Sequence, residues 1–554
     1  MKTIILPLVF SASVLADSAD TPLALRDDIP ARAYLEHNSL YNAESVIPPQ
    51  CYTKTEGKNN PCFVCHQTNV DGRPNTMNDG SLQGSYDFSD LGLNNHWQNL
   101  FKDRRDAIKA TSDADIDAYV RQDNYQTLLS RANSEQWPAE PLQLEQLAYP
   151  NQAFDELGFA KDGSHWVAFN YKPFPSTFWP TNGSTGDVMI RLPKAFREHQ
   201  GHYSRDLYLA NLSLLEMTIK DQDSLSVPPL SETKLKLDLN GNGQLEPQIT
   251  QIQRQSHFLG DASNQPLNRM LYPKDTEFLH SVRYIDIDAH GNIQPAPRMK
   301  ELRYMRKHID VTPQQLRSAY YLERKEKLFE NLPQTTFIGD KGIANNFGWT
   351  INGYIEDDTG ELRHQNQQEL AFCNGCHKTI GTTIDQVFSF ARKVEGAQGW
   401  GYLDLSVQQD VPSFSDNQTL SKTQGEFLTY MQRVGGGDEF RQNTEMLSRW
   451  FDAEGNVDVA KVESVSSIAE LILPSPQRAR ALNKAYREIV KEQSYLFGRD
   501  AVLAPATNVF QQIDADVAPL EPQHRYRFDI RLEWFAESMK KSQLATTNQQ
   551  TAEE

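Results

Sequence analysis

Cysteine is scarce in this chain, with five in 554 residues. That excludes a disulfide-stapled framework, and because four of the five fall in two pentapeptides, Cys51 is left without an intramolecular disulfide partner. Long apolar runs are missing too. The run from Ile4 to Leu15 is interrupted by Pro7 and too short to span a bilayer, and no later stretch reaches the roughly eighteen apolar residues that a transmembrane helix needs. Positive charge is in deficit, 55 Lys and Arg against 73 Asp and Glu, for a net charge of −18. This argues against nucleic acid or an anionic lipid surface as a partner and would steer a basic protein toward the chain. No internal repeat is present apart from the two pentapeptides.

The N-terminus carries Lys2, the short apolar run, and Val14-Leu15-Ala16 before Asp17. This is the pattern of a secretion leader over residues 1–16. The first cysteine, Cys51, lies far beyond that cleavage point, so no lipid attachment there is expected. The expected address is the periplasm, with secretion or the cell surface as alternatives.

The pentapeptides are Cys62-Phe63-Val64-Cys65-His66 and Cys373-Asn374-Gly375-Cys376-His377. C-x-x-C-H is the attachment pattern of a c-type haem: two thiols form thioethers with the vinyl groups while the adjacent imidazole reaches the iron from the same turn. A structural zinc site would place its halves closer in sequence, and a thioredoxin-like dithiol leaves the histidine of both copies unexplained. On these residues the chain resembles two-haem c-type cytochromes. Phe178-Trp179-Pro180-Thr181-Asn182-Gly183 and Phe388-Ser389-Phe390-Ala391-Arg392-Lys393 are similar to stretches of large uncharacterised exported bacterial cytochromes. The resemblance implies two covalently bound haem c groups on Cys62, Cys65, Cys373 and Cys376, with His66 and His377 as proximal iron ligands. Distal candidates are His96 and Met77 for the first iron and His364, Met431 and Met446 for the second, with Cys51 a thiolate alternative.

A third feature is Asp238-Leu239-Asn240-Gly241-Asn242-Gly243-Gln244-Leu245-Glu246. Oxygen donors on Asp238, Asn240 and Asn242, the Gln244 carbonyl and Glu246 match the first part of an EF-hand loop, making a candidate Ca2+ site; an Asn-Gly hairpin turn is the competing reading. Position twelve departs from the pattern, because Ile249 stands where a bidentate acid belongs.

The expected organisation is a leader (1–16), a first haem region (17–150), a mixed region with the calcium loop (151–345), a second haem region (346–538) and a disordered tail (539–554). The fold class expected is α+β, with mainly helical haem regions flanking a strand-containing middle and much irregular structure. Periodicity predicts helices from Ser204, over Met299–His308, from Thr312, after Thr383 and from Ser475. The functional expectation is an exported di-haem redox protein with a redox partner protein. It is either an oxidoreductase acting on a small molecule, on the plan of di-haem peroxidases and haem rubber oxygenases, or a pure electron carrier. No general acid or base is assigned.

Overall fold

The computed structural model describes residues 47–534 apart from 71, 74, 135–142, 177–181, 329–334, 379, 415–423, 436–442 and 515. The expected leader and tail lie outside them.

The centre is an eight-stranded antiparallel sheet. Its strands are β1 (Val167–Ala168), β2 (Thr185–Arg191), β3 (Glu277–Ile287), β4 (Ile293–Lys307), β5 (Thr336–Phe337), β6 (Ile343–Ala344), β7 (Trp349–Glu356) and β8 (Leu362–His364). The order is β1-β2-β3-β4-β7-β6-β5, with β8 also paired to β7. β3 and β4 form a long hairpin across Asp288–Asn292, where the Asp288 carboxylate accepts from the His290 and Asn292 amides, both at 2.8 Å. Alternate residues serve opposite faces, as the two-residue period of a strand requires. Val188, Ile190, Phe278, Met305 and Ile351 join one apolar cluster, whereas Met189, Leu279, Leu302 and Tyr354 join another on the far side.

This architecture corrects the expected fold class. Strands β7 and β8 come from the region assigned to the second, mainly helical haem flank, and the sheet dominates the fold. The helix predicted over Met299–His308 is instead β4: Met299, Leu302 and Met305 mimic a helical stripe, but pairing with β3 on one side and β7 on the other decides the outcome. The helix predicted after Thr383 is a tight turn in which Asp385 and Gln386 are both left-handed (φ 46 and 66), followed by a short 3-10 turn over Phe390–Arg392.

Other helical starts hold. Helix α1 (Arg205–Lys220) is capped by Ser204 and buried almost all round from Leu207 onward. Its interior acid, Glu216, is neutralised by Lys220 at 2.8 Å and Lys393 at 2.7 Å. Helix α2 (Pro313–Leu328) begins where Thr312 accepts from the Gln315 amide. Helix α3 (Gln367–Ala371) opens with an Asn366–Glu369 capping box. Helix α4 (Pro476–Glu492), capped by Ser475, packs Leu482, Tyr486, Ile489 and Val490 inward against Tyr284 of the sheet.

Candidate functional site

The first C-x-x-C-H segment is a 3-10 turn over Cys62–Val64, in which the Cys62 carbonyl accepts from Cys65 (3.1 Å) and His66 (2.9 Å). Asn60, fully buried, holds its start by accepting from the Phe63 amide at 2.9 Å. Phe63 anchors the turn with its ring edge-on to Tyr526 and Phe528. The second segment continues from α3 into one helical turn, Asn374–His377, where the Cys373 carbonyl accepts from Cys376 (3.2 Å) and His377 (2.9 Å). Each turn therefore brings two thiols and an imidazole together from one short piece of backbone.

Both imidazoles are fixed through Nδ1. That of His66 donates to Asp79 at 2.8 Å, and that of His377 donates to the Gln386 carbonyl at 2.8 Å. A carbonyl can only accept, so His377 carries its proton on Nδ1 and leaves Nε2 with its lone pair. Burial pushes His377 down to about 4, which keeps the ring neutral.

Although far apart in sequence, the turns meet in space. The Asp79 carboxylate that orients His66 also accepts from the Gly381 amide at 3.0 Å, four residues past His377. Gln67 Nε2 donates to the Gly381 carbonyl (2.9 Å), and the Thr382 amide donates to the Cys65 carbonyl (3.2 Å).

Beside the second turn lies a cavity of about 1810 Å³, its open mouth included, walled by Cys373, Cys376, His377 and Phe388. Its floor is one face of the sheet. Residues at alternate positions of β3 (Phe278, His280, Val282) and β4 (Glu301, Arg303, Met305) line it. Val188, His280, Arg303 and Gly353 form a single cross-strand row. Arg303 is held by Glu301 at 3.0 Å, and Glu301 also pairs with Arg499 at 3.0 Å. Arg392, buried at the wall, is paired with Glu426. Burial raises the thiols, Cys62 to about 12 and Cys376 to about 11, so neither is an activated thiolate at neutral pH.

The distal candidates are dispersed. His96 bonds the Leu91 carbonyl near the surface, and Met77 packs with Leu316, Tyr320 and Phe347. His364 packs with its ring tilted against Tyr354 at the sheet edge, and Met431 and Met446 are core residues. Cys51 packs beside the cluster of Tyr52, Trp97 and Leu100. None of these lines the cavity, whereas His280 and Arg303, which sequence reading did not single out as ligand and cavity residues, both do. The signal for them is the strand alternation of β3 and β4, visible only once both segments are known to pair.

The Asp238–Glu246 loop joins the short helix Glu232–Leu235 to the strand Ile249–Gln253. Asp238 accepts from Gly241 (2.8 Å) and Gly243 (2.7 Å), and the Asn242 side-chain oxygen accepts from Gln244 (2.8 Å). Glu246 accepts from Asn240 and Asn242 side chains. Buried Glu232 gathers the amides of Leu239, Asn240 and Glu246. The loop is thus closed by its own carboxylates. No helix among the described residues is long and apolar enough to cross a membrane.

Fold and site together define a sheet-floored cavity protein carrying two thiol-imidazole turns. A family profile described as "-like lipoprotein" matches residues 35–468, and the chain belongs to this lipoprotein family. It is similar to an uncharacterised lipoprotein of Aquifex aeolicus (strain VF5), 31% identical over 517 residues, covering 83% of this chain and 86% of that protein. No solved structure matches. As a member of a lipoprotein family the chain is an exported protein.

These findings overturn the resemblance to two-haem c-type cytochromes and the functional expectation built on it. The family and the relative are lipoproteins, neither is described as a cytochrome or a redox protein, and no group of three or more His, Cys, Asp or Glu among the described residues is placed to hold a metal ion. The peroxidase and rubber-oxygenase analogies, and the electron-carrier alternative, fall with it. The physical reason is that five-residue patterns report local chemistry, whereas membership in a family is carried by the other several hundred residues.

Proposed function

We propose that this exported protein is a prosthetic-group-binding member of its lipoprotein family, with a haem attached covalently at each C-x-x-C-H turn and the cavity as the pocket of the second. The observation that supports this reading is the anchoring of both turn imidazoles through Nδ1, to Asp79 and to the Gln386 carbonyl, which turns Nε2 of each ring away from its anchor. Metal-ligating histidines are oriented in this way. The residues fit the group. Cys373 and Cys376 sit at the cavity wall where each S–H adds across a vinyl group without loss of any atom, Phe388 and Val387 offer apolar surface to a flat ring, and Arg303 offers a cation to its carboxylates. When bound, the group would supply a Lewis-acidic iron, which the imidazoles of His66 and His377 would hold. The chain's own residues bind it, orient it and exclude water from its face.

Under this proposal the periplasm is the working compartment, and the acidic chain meets a basic partner protein or a small molecule there. The Asp238–Glu246 loop is proposed as the Ca2+ site, with Asp238, Asn240, Asn242, Gln244 and Glu246 as donors; Ca2+ is expected to raise the denaturation midpoint and Asp238→Ala to abolish that rise.

The decisive experiment is intact mass measurement of the full chain, exported from a host that attaches c-type haem, after acid-acetone extraction. Two retained haems are expected, one in Cys62→Ala/Cys65→Ala and one in Cys373→Ala/Cys376→Ala. A wild-type chain without retained haem overturns the proposal.

A further inference from the structure

His280 stands at the middle of β3, between Val188 on β2 and Arg303 on β4, and it lines the cavity that His377 also lines. The residue is half-buried mid-sheet, with its Nε2 enclosed beside β2.

The sheet makes room for this imidazole. Gly186 on β2 lies beside it, and a Cβ there would approach His280 Nε2 to 2.6 Å. A residue without a side chain at that point, in a strand that otherwise reads Thr185, Asp187, Val188, Met189, Ile190, leaves the space into which the ring extends.

We infer that His280 is the second protein ligand of the iron that Cys373, Cys376 and His377 would carry, so that two imidazoles, one on a helical turn and one on the sheet floor, hold a single group. The inference rests on the haem reading of the preceding subsection and deepens it. It assigns a ligand that no five-residue pattern contains, and it explains why the cavity floor carries a histidine beside a glycine.

The test uses the full-length holoprotein, by electron paramagnetic resonance and visible absorption with retained haem counted by mass on the same sample. His280→Ala is expected to keep two haems per chain while the low-spin signal of one is lost, and added imidazole is expected to restore it. His280→Met keeps a side chain in the space and is expected to replace the bis-imidazole spectrum of that haem with a thioether-ligated one. Unchanged spectra in both variants, with haem retained, overturn the inference and leave the haem reading standing. Absence of retained haem from the wild type overturns both.

Discussion

The most exacting prediction concerns a buried ion pair that supports the His377 anchor. Lys307, at the end of β4, and Asp385, in the turn after the second C-x-x-C-H segment, are both fully buried and meet at 2.6 Å. Asp385 also accepts from the Tyr272 amide at 3.0 Å, and Lys307 lies 5.1 Å from the Trp349 ring centre. Asp385 and its neighbour Gln386 are consecutive left-handed residues, a conformation costing roughly 1–2 kcal/mol per non-glycine residue unless its surroundings hold it. It is the Gln386 carbonyl that accepts from His377. Lys307→Met removes the cation and leaves a buried carboxylate uncompensated, a change expected to cost about 3–5 kcal/mol. Asp385→Asn alone strands the ammonium at a similar cost. The double variant strands neither charge and should cost less than the two singles together, with a coupling of about 1–3 kcal/mol. Urea denaturation at neutral pH measures all four corners of the cycle. A Lys307→Met cost below about 1 kcal/mol, or strictly additive singles, would refute the claim that this pair holds the turn.

Three further outcomes are expected. Phe63→Ala should cost about 3–5 kcal/mol in the same assay, because the ring is 2% exposed and packed between Tyr526 and Phe528; a loss under about 1 kcal/mol would show that the first turn is held otherwise. Gly381→Ala should destabilise the fold by roughly 1–3 kcal/mol, since a Cβ there meets the Asp79 carboxylate and the Met77 carbonyl, and an unchanged denaturation midpoint would mean that the two turns do not depend on this contact. Burial pushes Glu356 up to about 7, so the folded chain binds that proton more tightly than the unfolded one. The resulting stability is complete below the ordinary carboxylate range and is lost as pH rises through about 7, an upper limit near 3 kcal/mol at about 1.4 kcal/mol per unit. Denaturation midpoints should therefore fall from about pH 5 to about pH 8 in the wild type and fall less in Glu356→Gln; equal slopes would refute the assignment.

Helix starts were legible wherever a capping residue preceded an apolar stripe, as at Ser204 and Ser475, because a cap is a bond between neighbours. β4 was misread for the complementary reason. Its apolar residues fit a helical period, and nothing within the segment announces that β3 and β7 will pair with it. The same pairing makes Arg303 a wall of the cavity and Lys307 a buried partner of Asp385. Likewise the apolar residues after Thr383 suggested a helix, whereas the buried carboxylate of Asp385 finds its partners only in a left-handed turn.

What the sequence determined by itself is the chemistry contained in a few consecutive residues. In each pentapeptide the backbone closes one turn from the first cysteine carbonyl to the histidine amide, so thiols and imidazole are gathered whatever surrounds them. Net charge is compositional in the same sense. Only the tertiary structure decided that the two turns touch, through bonds such as Gln67 to Gly381 across 314 residues of sequence, and that His280 and Arg303 face the cavity. Those arrangements depend on strand register and on which buried charges find partners, and register is settled by the whole sheet burying one face at a time.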